Sequence, residues 1–485
     1  MPKGRCFVRY IEISLKNLYN RLKGGLIMNF FKLAEYQNIS VPKKANNPAI
    51  LDTVHNYAYT VNWEYTFTDD DTVFSIGNAV PADIGDAEYV INVTEEGAYV
   101  KGKDYKSAVK GFLSLLEMIF CYGKNDYRIE TLSVIDAAKL PFRAIHICLF
   151  PEYSMNTIRK IIRTCGMAKY THVILETWGS IKLDALKELA WPNAFTKDEI
   201  RELVKEANAM GMEVIPFFQH LGHAALARMG YAGKHTVLDQ NLALEHLYYP
   251  KSYGWVWNFK DPEVKALLKS VRSELCDLFG EGEYFHLGCD EAGMEFDADE
   301  LCDWLREVQD DLSKKGRRGI IWGDMLLSTA FFPDEPKDPN HPWRIAYGCN
   351  STKEYAEKLL SSLDKRLIVA DWQYDAVNAP WKTTSKIREH GFDVICCPWE
   401  IHENIPAAVS TAETEGCLGI METTWNKLIV SPGVQNIIFA GLCSWGDPKF
   451  ADWFDGISDR AYNIFRRVAP EGKTYETSGW AEKQV

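Results

Sequence analysis

From about residue 141 onwards, short apolar runs alternate with amphipathic stretches along the chain. The apolar runs have the length of buried strands, and the stretches between them have helical spacing. Eight such strand–helix units predict an α/β fold, a (β/α)8 TIM barrel. An open doubly wound sheet is the alternative, but no Gly-x-Gly-x-x-Gly sequence follows a strand. The predicted strands are Arg143–Phe150, His172–Thr177, Glu213–Gln219, Tyr284–Asp290, Gly319–Asp324, Leu367–Gln373, Asp393–Trp399 and Cys417–Trp425.

The segment before the barrel has a mixed pattern. Pro48–Tyr59 and Lys106–Tyr122 have helical periodicity, whereas Glu88–Val93 has the pattern of a strand. We therefore predict a small α+β domain over residues 28–140, followed by the barrel over residues 141–485.

Residues 1–27 differ from both domains. They carry six basic residues and one acid, and they contain no apolar stretch long enough for a signal peptide. We expect a basic N-terminal extension that forms a mobile arm or lies outside the native reading frame.

Composition and charge narrow the class of protein. The chain has 485 residues, of which 46% are hydrophobic and 25% charged, and this is enough for a large core and two domains. A net charge of −13 argues against a nucleic-acid or anionic-membrane partner. The 12 cysteines include no Cys-x-x-Cys pair, and several lie in apolar runs. This usage is typical of buried thiols in a reducing compartment, so we expect a cytoplasmic location. No apolar run in the sequence is long enough to cross a membrane, so we expect no membrane span.

An acidic pair ends the fourth predicted strand. Aromatic and apolar residues run up to Gly288, and Asp290 and Glu291 follow after one cysteine. Adjacent carboxylates repel each other, and burying them is costly unless chemistry uses them. Catalytic groups gather at the carboxyl ends of barrel strands, which favours an active site here. The alternative is structural, with Asp290 capping a helix and Glu291 in solvent.

Tryptophans and polar side chains stand at most of the other strand ends. In a barrel they converge on one mouth and form an aromatic wall above several acids. This composition suits a pyranose ring, whose C–H groups pack on indoles and whose hydroxyls bind carboxylates. The substrate-binding candidates are Glu176, His223, Trp322, Trp372, Tyr374, Asp375, Trp399 and Trp425, together with Arg143 at the start of the first strand.

The sequence His220-Leu221-Gly222-His223 has the spacing of a possible metal site, with Asp290 as a third ligand. The glycine disfavours presentation of both imidazoles from one helix. We therefore predict no metal, a hydrogen-bonding role for His223 and a structural role for His220.

These motifs together resemble glycoside hydrolase family 20, the β-N-acetylhexosaminidases. The stretch from His286 to Glu291 is similar to that family's H-x-G-x-D-E, and Ile215 to His223 is similar to its I-P-x5-G-H. Pro141-Phe142-Arg143 and Gly419 to Trp425 resemble its first and eighth strands. At the second strand end, Glu176-Thr177-Trp178-Gly179 replaces the usual H-x-T/S-D, so the sequence resembles a divergent member of the family.

The resemblance implies removal of a terminal N-acetylglucosamine or N-acetylgalactosamine by a retaining, substrate-assisted mechanism without a cofactor. It makes Glu291 the general acid and base, and it makes Asp290 the partner of the acetamido N–H. Tyr374 would donate to the acetamido oxygen, and Arg143 would hold ring hydroxyls. The walls of the acetamido pocket would be Trp322, Trp372 and Trp425.

Other classes remain open at this point. A catalytically silent sugar-binding barrel would use the same pocket, and a metal-dependent hydrolase would use His220, His223 and Asp290. A glycosidase with two catalytic acids would not require the acetamido group. The expected partner is a sugar or oligosaccharide with a terminal 2-acetamido group, and the oligomeric state stays open, with a homodimer as one option.

Overall fold

The computed structural model describes residues 29–150, 153–225, 237–252, 254–335, 337–338, 341–345, 347–425, 428, 433–446 and 458–468. The basic extension expected at residues 1–27 lies outside the described residues. No helix in the described part of the chain is long and apolar enough to cross a membrane.

The small domain contains a six-stranded sheet, with strand order β3-β2-β4-β6-β5-β9, and a three-stranded sheet, with order β1-β8-β7. Helix α2 begins after Asp104, whose carboxylate accepts the backbone N–H of Ser107 at 2.7 Å. Phe112 of this helix stacks on Phe74 of the sheet at 4.4 Å. The elements are β1 (Phe30–Lys32), β2 (Tyr36–Pro42), α1 (Pro48–Tyr57), β3 (Asn62–Thr68), β4 (Val73–Gly77), β5 (Tyr89–Val93), β6 (Gly97–Gly102), α2 (Tyr105–Glu117), β7 (Phe120–Gly123), β8 (Asp126–Glu130) and β9 (Leu132–Asp136).

The second domain is a closed parallel barrel of eight strands, which confirms the predicted (β/α)8 fold. Its strands are apolar on both faces because one face lines the barrel interior and the other lies beneath the helices. The barrel strands are β10 (Phe142–Cys148), β11 (His172–Thr177), β12 (Glu213–Phe218), β13 (Tyr284–Gly288), β14 (Arg318–Trp322), β17 (Ile368–Trp372), β18 (Asp393–Cys397) and β19 (Gly419–Thr423). A separate hairpin of β15 (Lys337–Asp338) and β16 (His341–Ile345) lies between β14 and β17 in the chain.

Five of the helices around the barrel begin at side-chain caps, which are Ser154, Thr196, Asp261, Asp297 and Thr352. Thr196, for example, forms a reciprocal capping box with Glu199 at the start of α4, and this orients the chain before the third strand. The helices are α3 (Met155–Met167), α4 (Lys197–Ala209), α5 (Pro262–Phe279), α6 (Ala298–Ser313), α7 (Lys353–Ser362), α8 (Lys382–Glu389), α9 (Asn404–Thr414), α10 (Gly433–Trp445) and α11 (Ser458–Arg467).

A buried polar cluster joins the small domain to the amino-terminal side of the barrel. Asp136, at the end of β9, accepts hydrogen bonds from Tyr89 at 2.5 Å and from the Trp445 indole at 2.9 Å. The ammonium group of Lys169 lies 3.3 Å from the same carboxylate. This side of the barrel is therefore occupied by the small domain, and the carboxyl ends of the strands lie at the other side.

Candidate active site

The acidic pair lies in a sharply turned loop directly after β13. Cys289 and Glu291 adopt positive φ values of 74° and 42°, which are costly for residues with a Cβ atom. Gly288 has φ of 69°, and a Cβ there would lie 1.8 Å from the Gln219 side chain. The chain therefore turns where only glycine fits, and the two carboxylates follow at the mouth of the barrel.

The two acids have different environments. Asp290 is 3% exposed, whereas the side chain of Glu291 is 46% exposed. Burial raises the pKa of Asp290; the positive charge of His223 opposes this shift, and the carboxylates of Asp324 and Glu291 add to it. Oδ1 of Asp290 has no hydrogen-bond partner among the residues that the structure describes. The site thus places a buried carboxyl oxygen next to a second carboxyl group that reaches solvent.

His223 joins the two acids. Its Nε2 atom lies 3.1 Å from Glu291 Oε2 and 3.4 Å from Asp290 Oδ2. Burial alone would lower the pKa of His223, but Asp290 and Glu291 outweigh it and raise this pKa to about 9. Gly222 is required beside it, because a Cβ there would lie 1.9 Å from the Asp290 carbonyl oxygen. This contact gives the Gly-His pair of the sequence a physical reason.

Three further residues hold the acid loop, and the sequence analysis did not select them. Asp324 is 1% exposed and accepts the backbone N–H of Glu291 at 3.0 Å. Asn350 donates to the same carboxylate at 2.7 Å. The indole N–H of Trp255 donates to the Glu291 carbonyl at 2.6 Å. Asp324 follows the barrel strand β14 by two residues and so could have been found from its place near a strand end, whereas Trp255 and Asn350 lie in loops whose pattern carries no signal.

The predicted aromatic residues form a continuous cluster at the mouth. Tyr374 stacks on Trp372 at 5.1 Å and meets the Trp399 ring edge-to-face at 5.1 Å. The Trp425 indole donates to the Tyr374 hydroxyl at 2.9 Å, and its ring lies 5.6 Å from Trp322. Burial raises the pKa of Tyr374 well above its usual range, so this hydroxyl keeps its proton.

The same cluster is tied to the acids. The indole N–H of Trp372 donates to Asp324 Oδ1 at 3.2 Å, and Asp324 holds the backbone of Glu291. Trp322 is buried at the bottom of the cluster, and Asp375 is exposed in the loop after Tyr374. The structure thus brings together the two acids, His223 and the predicted aromatic residues, with Asp375 at the edge.

Arg143 does not belong to this site. It lies near the amino end of β10, and its guanidinium donates to the carbonyls of Lys169 at 2.9 Å and Leu140 at 2.5 Å. It is 1% exposed and stacks over Trp445 at 4.8 Å. The prediction that Arg143 binds sugar hydroxyls is wrong, because its side chain points out of the barrel wall towards the small domain.

Glu176 lies near the mouth but is 0% exposed. Its carboxylate contacts His146 Nε2 at 2.8 Å and accepts from Gln219 Nε2 at 2.8 Å and from the Cys148 thiol at 3.4 Å. These neighbours leave the carboxylate no surface for a sugar. The prediction of direct substrate contact is therefore wrong for Glu176, which supports the floor of the site instead.

The predicted alternative metal set is not assembled. His220 contacts the Phe218 carbonyl at 2.6 Å and the Arg272 guanidinium at 3.1 Å, so both of its ring nitrogens are occupied away from His223. Among the residues that the structure describes, two other groups have potential ligand atoms within 4.8 Å of one another. One is His146, Cys148 and Glu176, and the other is His223, Asp290 and Glu291.

The fold and the site define a (β/α)8-barrel protein with an acidic, indole-lined site at the carboxyl ends of its strands. The family model described as "Glycosyl hydrolase family 20, catalytic domain" matches residues 167–446, more than half of the chain. The chain therefore belongs to glycosyl hydrolase family 20.

Similar proteins carry hexosaminidase names. Beta-hexosaminidase subunit A1 of Dictyostelium discoideum is 24% identical over 238 residues, which cover 46% of this chain and 43% of that protein. Subunit A2 of the same organism is 24% identical over 333 residues, covering 62% and 57%. The chain thus spans about half the length of these relatives. The solved chitobiase of Flavobacterium johnsoniae has a TM-score of 0.64 at 14% identity, covering 91% of this chain and 71% of that one, which shows a shared fold.

Proposed function

We propose that the protein is an exo-acting β-N-acetylhexosaminidase that works by a retaining, substrate-assisted mechanism. The observation that carries this proposal is the pairing of a buried carboxyl group, which has an unpartnered oxygen, with a solvent-facing carboxyl group beside it. The family membership and the hexosaminidase names of the relatives support it.

In the first step, the acetamido oxygen of the substrate attacks the anomeric carbon, and the bond from that carbon to the leaving oxygen breaks. The leaving oxygen keeps the electron pair and takes the proton of Glu291, which faces the solvent side of the site. The acetamido N–H donates to the unpartnered Oδ1 of Asp290, which opposes the positive charge of the oxazolinium ring. The Tyr374 hydroxyl, which stays protonated, orients the acetamido oxygen.

In the second step, water attacks the anomeric carbon and gives its proton to the Glu291 carboxylate. The bond to the acetamido oxygen breaks, and the sugar leaves with its original anomeric configuration. His223 remains cationic at neutral pH because its pKa is raised to about 9, and it offsets the negative charge of Asp290, and that of Glu291 while Glu291 is deprotonated.

The proposal predicts that Glu291→Gln abolishes hydrolysis of an aryl N-acetylglucosaminide and that Asp290→Asn lowers kcat by about 100-fold or more. A panel of nitrophenyl sugars with and without the 2-acetamido group tests it. Turnover of the acetamido sugars alone is expected. Near-normal kcat in either variant, or equal cleavage of plain glucosides, would contradict the mechanism, and binding without turnover in the wild type would indicate a silent sugar-binding barrel.

A metal-dependent hydrolase is a second candidate, since potential ligand atoms of His223, Asp290 and Glu291 lie within 4.8 Å of one another. Activity after exhaustive chelation, with no metal in elemental analysis, would remove this candidate. No disulfide bond joins any of the eleven cysteines among the described residues, which supports the further proposal of a reducing, cytoplasmic compartment.

A further inference from the structure

We infer that Asp324 is a positioning residue that fixes the acid Glu291 relative to the indole wall of the pocket. This inference rests on the proposed function, because it assigns a role to Asp324 only if Glu291 transfers a proton. Asp324 itself is 1% exposed and is set to act through its neighbours.

Both carboxylate oxygens of Asp324 are used by residues of the site. Oδ2 accepts the backbone N–H of Glu291 at 3.0 Å and the Asn350 side chain at 2.7 Å. Oδ1 accepts the Trp372 indole N–H at 3.2 Å. One rigid group therefore sets the distance between the proton donor and a wall of the sugar pocket.

The backbone of Glu291 needs such a partner. Its φ of 42° costs about 1–3 kcal/mol in an isolated chain, so surrounding contacts must hold it. Asp324 binds its N–H, and the Trp255 indole binds its carbonyl at 2.6 Å. Loss of the Asp324 contact frees one side of a strained residue, and the general acid then moves relative to the bound sugar.

Asp324 is also anchored by its own backbone. It begins a single helical turn, Asp324–Leu326, directly after Trp322 and Gly323, and the N–H of Gly323 donates to the Ala370 carbonyl of the neighbouring strand at 2.9 Å. Its carbonyl accepts the Asn350 N–H at 2.9 Å. The carboxylate is therefore built on the barrel wall itself, which is a suitable base for a positioning group.

The test is Asp324→Asn, which keeps the shape but gives one side of the group an N–H donor. All three neighbours are donors, so the new amide must face the Trp372 indole or the Glu291 N–H without a matching acceptor. A displaced general acid matters most for substrates whose leaving group needs a proton. We expect kcat/KM to fall about 30- to 100-fold for a phenyl N-acetylglucosaminide and about threefold or less for the dinitrophenyl analogue.

The matched control is Asp371→Asn. Asp371 is also a fully buried carboxylate at a strand end, and it accepts from Gln373, Thr383 and Thr384, but none of these contacts reaches Glu291. The Asp371→Asn variant should be less stable than the wild type, but it should keep the wild-type ratio of kcat/KM between the two substrates. If Asp324→Asn fails to fold, two other variants test the inference. Asn350→Ala and Trp372→Phe each remove one hydrogen-bond donor to Asp324, and each should shift the ratio of kcat/KM between the two substrates.

The outcomes separate this inference from the proposed function. The positioning role would be overturned if the ratio of kcat/KM between the two substrates were unchanged in the Asp324 variant, or if it shifted equally in the Asp371 control. The proposed function would still stand in that case, provided that the Glu291→Gln variant is inactive. A Glu291→Gln variant with normal activity would overturn the proposed function itself.

Discussion

The imidazole of His223 shows how much a single residue depends on its immediate neighbours. It lies within 3.4 Å of two carboxylates, and these charges outweigh the effect of burial on its pKa. The cationic imidazole therefore reduces the repulsion between the two adjacent carboxylates at the mouth of the barrel. In the proposed mechanism, the different exposure of Asp290 and Glu291 separates their roles into a buried partner for the substrate and a proton donor at the solvent side.

A first prediction concerns this imidazole. We expect His223 to titrate near pH 9 in a proton NMR titration and its pKa to fall in Asp290→Asn, because the variant removes its strongest attractive charge. A His223→Gln variant assigns the signal. An unchanged pKa in Asp290→Asn would contradict the contact between the two side chains.

The same shift has a consequence for stability. Because the pKa of His223 is raised above its ordinary value of 6.5, the protonated imidazole stabilises the folded state fully below pH 6.5. This contribution is lost as the pH rises through about 9. Unfolding measured by denaturant between those two values should show the decline.

At the scale of elements, two strand-end loops approach each other closely. The loop after β12 contributes Gly222 and His223, and the loop after β13 contributes the two acids. The contact is so tight that the backbone at Asp290 leaves no room for a Cβ at position 222. The geometry of the acids is therefore set by a neighbouring strand as much as by their own.

The second prediction is that Gly222→Ala lowers kcat about 100-fold or more, because the new methyl group pushes the Asp290 carbonyl and displaces the acid loop. Overpacking should also lower the free energy of unfolding by about 1–3 kcal/mol. Gly123→Ala is the control, since nothing lies within 4 Å of a Cβ there. Full activity in Gly222→Ala would show that the two loops are not in tight contact.

At the scale of the whole molecule, the small domain packs against the amino-terminal side of the barrel, and the candidate active site lies at the other side. The junction between the small domain and the barrel contains the carboxylate of Asp136, which accepts hydrogen bonds from Tyr89, Lys169 and Trp445. The guanidinium of Arg143 stacks over the same Trp445 ring. The junction is thus buried and charged, and removing Asp136 leaves Tyr89, Lys169 and Trp445 without their shared acceptor.

The third prediction is that Asp136→Ala lowers the free energy of unfolding by about 3–5 kcal/mol, as expected for a broken buried ion pair. The kcat of the folded enzyme should not change, because the cluster lies at the amino ends of the strands. Denaturant unfolding followed by circular dichroism, with activity measured at 25 °C, tests both parts. Asp126→Ala removes two partly exposed ion pairs, to Lys32 and Arg128, and should have a much smaller effect. A matching loss of kcat would mean that the junction communicates with the mouth.

The sequence by itself determined the alternation of strands and helices. Every barrel strand carries an apolar run, and this run can be recognised without knowing which strands lie beside it. It also predicted the acid pair as the candidate site, because two adjacent carboxylates after such a run have few structural uses. The position of Gly222 before His223 is visible in the sequence as well, although its reason is a contact across two loops.

Only the tertiary structure decided which polar side chains face the mouth. Arg143 and Glu176 stand on barrel strands, as Trp322 and Trp372 do, but Arg143 points outward and Glu176 is enclosed by His146, Gln219 and Cys148. Asp324 and Trp255 hold the backbone of Glu291 from distant parts of the chain. Periodicity reports whether a residue is buried, whereas a partner far along the chain is fixed only when the barrel closes and brings the two together.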